Sequence, residues 1–96
     1  MSCLHTINKA PSAQLLESCC NCLQKGDAVL FIEDGIYHVL ESSLLSSIPA
    51  GVALFSLRED IAARGLSDKC DPMVEIVGYR NFVELCVEHD KIVSWF

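Results

Sequence analysis

Asp27-Ala28-Val29-Leu30-Phe31-Ile32-Glu33 is an unbroken apolar run between two acids. Apolar residues without polar alternation mark a strand covered on both faces, as in a parallel sheet. Val52 to Leu57 repeats the pattern, and Val74 to Val77 is a shorter version. Cys3 to Asn8 alternates loosely, and Lys91 to Phe96 is predicted as a final extended segment. Ala13 to Gln24 reads as helix, with Pro11 and Ser12 as start chemistry and Lys25-Gly26 as the stop. At 100° per residue its apolar stripe is Leu15, Leu16, Cys19 and Leu23, with Cys20 and Cys22 on opposite flanks and Glu17, Ser18 and Asn21 outside. Asp34-Gly35 is predicted as a turn and Ser46 to Gly51 as a loop, and the mixed periodicity of Ile36 to Leu45 between them is compatible with a helical start. Arg58 to Arg64 is predicted as a short helix stopped by Gly65, and Ser67 to Pro72 as loop. Arg80 to His89 is predicted as a helix with Phe82, Val83 and Cys86 on one side.

The resulting order, β-α-β-α-β-α-β-α-β, predicts an α/β fold of three layers, a mainly parallel sheet with helices on both faces and right-handed crossovers, in one domain spanning 1–96. A chain of 96 residues buries only roughly 60 to 70% of its extended surface. With 51% hydrophobic residues, apolar surface is left over, which predicts a subunit of an oligomer. Seven basic against 13 acidic residues, net −6, argue against direct phosphate-driven nucleic-acid binding. No apolar run approaches the roughly 20 residues of a membrane span. The opening Met1-Ser2-Cys3-Leu4-His5 has no basic region followed by an apolar run, so the expectation is a cytoplasmic protein, away from membranes, with its six cysteines reduced.

Cys19 and Cys22 form a C-x-x-C, but Cys19 lies about two turns inside the predicted helix, where the dipole no longer lowers a thiol pKa. Facing the core or a partner, Cys19 is first of all a small buried hydrophobe. Zinc would need two paired ligand clusters, whereas Cys70 and Cys86 are single and His5, His38 and His89 are scattered, so neither metal nor cofactor is expected. Glu33 and Asp34 stand at the carboxyl end of a central strand, where open α/β sheets put their sites, with His38 four residues on. A solvated acidic turn explains them equally well. No phosphate loop, G-x-S-x-G or H-E-x-x-H is present.

Five blocks in register carry a resemblance: Met1 to Pro11, Leu16-Glu17-Ser18-Cys19, Phe31 to Tyr37, Glu59 to Gly65 and Tyr79 to Leu85, followed by Trp95 near the terminus. Together they resemble the DsrH/TusB family of sulfur-relay subunits across essentially the whole chain, with Asn8-Lys9, Leu16 to Cys19 and Gly35-Ile36-Tyr37 closer to DsrH. The resemblance implies a flavodoxin-like subunit assembled with DsrE/TusD-like and DsrF/TusC-like subunits, commonly as a dimer of heterotrimers. It implies transfer of persulfide sulfur through a DsrC/TusE-like carrier, toward sulfur oxidation in one branch and 2-thiolation of the tRNA wobble uridine in the other, with tRNA engaged only indirectly. In that family the principal sulfur-carrying cysteine lies on the TusD or DsrE subunit. Cys19 matches the DsrH cysteine and is the candidate accessory persulfide carrier, with Cys20 and Cys22 as neighbouring thiols. The alternatives are a scaffold subunit that carries no sulfur and, from a different class, an autonomous thiol-redox protein cycling Cys19 and Cys22.

Overall fold

The computed structural model describes residues 2–96. Five strands, β1 (Cys3–Ile7), β2 (Ala28–Phe31), β3 (Ala53–Leu57), β4 (Glu75–Val77) and β5 (Lys91–Trp95), form one sheet in the order β4-β3-β2-β1-β5. All four pairings are parallel, with Leu4 opposite Ala28 and Ile92, and Val29 opposite Leu54. All four residues of β2 are buried, as the unalternated run predicts.

From β1 to β4 each step moves one strand in the same direction, so right-handed crossovers put all the intervening helices on one face. These are the 3-10 helices Pro11–Ala13 and Glu33–Leu40 together with α1 (Leu15–Cys20), α2 (Ser42–Leu45) and α3 (Arg58–Ala63). The step from β4 to β5 runs back across the sheet, which places α4 (Tyr79–Glu88) alone on the other face. The core divides accordingly. Ile7, Val29, Phe31 and Leu54 pack with Leu16, Cys19, Ile36, Val39, Leu45 and Ile61 on the first face. On the second, Leu4, Ala28, Leu30 and Val77 pack with Leu85, flanked by Phe82 and Cys86.

Three sequence expectations are corrected. The helix of Ala13 to Gln24 is instead a 3-10 turn and a six-residue α1, separated by Gln14 in a left-handed conformation at φ 59°. Ser12 caps nothing. The chain leaves α1 early because the Gln24 N–H donates to Asp27 Oδ2 at 3.0 Å while the Asp27 N–H returns a bond to the Gln24 carbonyl, so a side chain outcompetes the helix for its backbone. Asp34-Gly35 lies inside the continuous 3-10 helix Glu33–Leu40 and makes no simple turn. On α4, Val83 is 64% exposed, because the buried stripe is Phe82, Leu85 and Cys86, whereas Tyr79, Val83 and Val87 follow the i, i+4 row on the outside.

Candidate functional site

The thiols fall into distinct environments set by the elements that carry them. Cys19 points from α1 onto the sheet, is 0% exposed, and packs with Leu16, Val29 and Phe31 in the first-face core. Burial, reinforced by the neighbouring Cys20, Cys22, Cys3 and Asp27, pushes its thiol up to about 12. At neutral pH that leaves roughly one thiolate in 10⁵, so in this conformation Cys19 is neither accessible nor nucleophilic. Cys20 is half-buried, its Sγ 4.0 Å from Ser47 Oγ, and Cys22 is exposed in the turn beyond the helix. The C-x-x-C therefore joins a core position to a surface one.

Cys3 begins β1 at the amino-terminal edge of the sheet, in a cleft shared with Cys22, Asp27 and Lys91. Burial and then the Asp27 carboxylate raise its pKa, with Lys91 opposing them. Cys70 is raised by burial as well and sits 3.6 Å from the Leu66 carbonyl, while Cys86 packs from α4 against the second-face core.

The histidines are held by structure. His5 Nδ1 accepts a bond from Trp95 Nε1–H at 3.1 Å, so in the neutral ring the proton sits on Nε2, 3.4 Å from Asp27 Oδ2. That second contact lacks hydrogen-bond alignment, and His5 Nε2 has no aligned partner. Burial works against the Asp27 carboxylate, but N–H bonds from Gln24 and Cys3, joined by His5, hold it below its ordinary range. Asp27, His5 and Trp95 thereby tie β2, β1 and β5 together. His89 Nδ1 bonds the Leu85 carbonyl at the end of α4.

The acidic pair after β2 is taken up structurally. Asp34 is bridged by Arg64 at 2.9 Å, and the Glu33 N–H donates to Asp60 Oδ2 at 2.6 Å. His38, four residues on, is turned inward and buried beneath the 3-10 helix instead of joining them. Among the described residues, no three His, Cys, Asp or Glu side chains converge to hold a metal ion, and no helix is long and apolar enough to cross a membrane. The Asp27–His5–Trp95 chain has no signature in the sequence. A histidine two residues from a strand start gives no local signal of a tryptophan 90 positions away.

Comparison with known proteins assigns the chain. The family model described as DsrH like protein matches residues 9–92. Protein TusB of Photorhabdus laumondii subsp. laumondii is 36% identical over 94 residues, covering 96% of this chain and 99% of the relative. Protein TusB of Pectobacterium carotovorum subsp. carotovorum is 32% identical over the same span and coverage. Among solved structures, the ychN protein from E. coli superposes with a TM-score of 0.84 at 15% identity, covering 99% of each chain. Protein Tm0979 from Thermotoga maritima superposes at 0.71 and 17% identity, over 90% of this chain and 92% of that one. The two structures establish a shared fold. With the family model spanning 9–92 and relatives matching nearly every residue, the chain belongs to the DsrH/TusB family.

Proposed function

We propose that this chain is a subunit of a cytoplasmic hetero-oligomeric sulfur-relay complex, working beside DsrE/TusD-like and DsrF/TusC-like subunits that present the principal sulfur-carrying cysteine. The near full-length family match carries the reading. Exposed apolar side chains, Tyr79, Val83 and Val87 along α4 with Ile92 and Phe96 at the β5 edge, support a protein that works as part of an assembly. The matched model has the DsrH description and the full-length relatives the TusB name, so the function is proposed at the level the branches share: persulfide sulfur passed between thiols, toward sulfur oxidation or tRNA wobble-uridine thiolation. A net charge of −6 supports a tRNA that is engaged through another component.

Within the complex this chain acts as a scaffold. The burial and raised pKa of Cys19 support a structural role, since a thiol accepts sulfur from a persulfide only as an accessible thiolate. The Leu16-Glu17-Ser18-Cys19 block favours the second reading, in which Cys19 is an accessory carrier, and that reading requires α1 to move off the sheet. Intact mass with peptide mapping, on the chain alone and with its co-expressed partner subunits after treatment with a persulfide donor, separates them. An unmodified chain beside a persulfidated partner is expected. One added sulfur on Cys19, together with lost transfer in Cys19→Ser, overturns the scaffold role, and a complex without any persulfide overturns the relay.

A further inference from the structure

Between α1 and the segment formed by the 3-10 helix Glu33–Leu40 and α2 lies an open cleft of about 590 Å³, inside the range of small-molecule sites. Its walls are mainly carbon, from Leu16, Leu44 and Pro11, with Cys20 and Ser47 touching along one side. His38 lines the same cleft although it is only 1% exposed, and its ring stacks on Phe31 with centroids 5.2 Å apart.

The hydrogen bonding of His38 sets what its enclosed ring can offer, beside Asn21 and Ser43 among the polar groups that line the cleft. Nδ1 is 2.9 Å from the Gly35 carbonyl oxygen, which can only accept, so Nδ1 carries the ring proton and Nε2 keeps a bare lone pair. Burial lowers the pKa of the ring, against the Gly35 bond and the charge of Glu41, and so keeps it neutral. Among the described residues nothing pairs with Nε2. Buried polar atoms are seldom left in that state. The Ser47 hydroxyl donates to the Leu44 carbonyl at 2.8 Å, so toward the cleft it too can only accept. Gln14, also lining the cleft, holds left-handed backbone angles that disfavour any residue but glycine, a kind of strain that gathers at ligand sites. Glu17 on the wall and the overall charge of −6 oppose an anion.

We propose that this cleft binds a small uncharged molecule with an apolar body and a single N–H or O–H donor, oriented by donation to His38 Nε2. The site is independent of the sulfur-relay reading, and no thiol reacts in it.

Phenol and toluene test it, having similar apolar bodies and differing in the donor. With ¹⁵N-labelled protein, phenol is expected to move the His38 Nε2 resonance saturably, together with the amides of Cys20, Leu44 and Ser47. Phenol should bind about 3- to 10-fold more tightly than toluene, the net worth of one hydrogen bond. His38→Phe should erase that preference, but it also removes the Gly35 bond and can unfold the chain. Cys20→Trp is the second variant, filling the cleft from a half-buried position while leaving His38 and Gly35 in place, and its His38 signal should no longer respond. Equal binding of toluene, a phenol response away from His38, an unchanged response in folded Cys20→Trp, or no saturable shift up to the solubility of phenol overturns the proposal. If both variants unfold, the phenol–toluene comparison on the unmodified chain decides alone.

Discussion

Gly35→Ala should be among the most damaging single-methyl changes available in this protein. The 3-10 helix after β2 passes directly against the end of β1, and a Cβ on Gly35 would overlap the Ile7 carbonyl oxygen and lie 2.8 Å from its carbonyl carbon. Ordinary contact begins at 3.4 Å, so backbone must separate by at least about 0.6 Å at the carbon and by more at the oxygen. The same carbonyl accepts the Ile32 N–H at 3.0 Å, so moving it disturbs a bond from the end of β2 to β1. Overpacking costs about 1–3 kcal/mol where side chains can yield. Here both clashing atoms are backbone, so the expected loss is at least about 3 kcal/mol, or roughly 12 °C or more in Tm for a chain of this size. Urea unfolding followed by far-UV circular dichroism measures it. Gly26→Ala is the control: Gly26 has φ +95°, and nothing stands within 4 Å of an added Cβ, so only the left-handed backbone penalises it, by about 1–2 kcal/mol. If Gly35→Ala loses no more than Gly26→Ala, the close approach of the 3-10 helix to β1 is wrong.

Trp95→Phe keeps an aromatic ring but removes the donor to buried His5 Nδ1, and should cost about 1–3 kcal/mol in urea unfolding while shifting the His5 ¹⁵N signals away from a single Nε2–H tautomer. Asp27 has a folded pKa below its unfolded value near 3.9, so its contribution is present above about pH 4 and is lost as pH falls through the lower folded value; Asp27→Asn should flatten that acid limb of the stability–pH curve. Cys19 has the opposite sign, its thiol pKa raised from 9.0 to about 12, so its contribution is full below pH 9 and is lost as pH rises toward 12, a slope that Cys19→Ala should reduce. In iodoacetamide labelling at pH 8 with mass mapping, Cys22 should react first and Cys19 only after denaturant is added, and equal rates would refute the buried placement of Cys19.

The local code was legible wherever one element's own residues determined its state. Ala28 to Ile32, apolar at every position, can be satisfied only between two covering layers, and the spacing of strands and helices then requires crossovers and a parallel sheet. Gly65, at φ +67°, follows α3 (Arg58–Ala63) and Arg64, as a glycine past the last turn allows. The helical wheel places Cys19 on the inward stripe although α1 is shorter than its periodicity predicts, because position relative to Leu15, Leu16 and Leu23 survives a change in where the helix ends.

What tertiary structure alone decided was every relation between elements distant in the chain. Periodicity carries no strand order, so neither β5 lying beside β1 nor α4 covering one face unaided was visible in the residues. The early end of α1 follows from Asp27 capturing the Gln24 N–H, a side-chain competition that a count of apolar positions cannot register, and the same count passes over the left-handed break at Gln14. His5 and Trp95 became partners only when two strands were laid side by side, and His38 lost its place with the acidic pair because the 3-10 helix turned its ring into the core. Burial then set the chemistry: an identical thiol is fully enclosed at Cys19 and open to solvent at Cys22, three residues apart, since solvation depends on what the fold places around a residue and not on the residue itself.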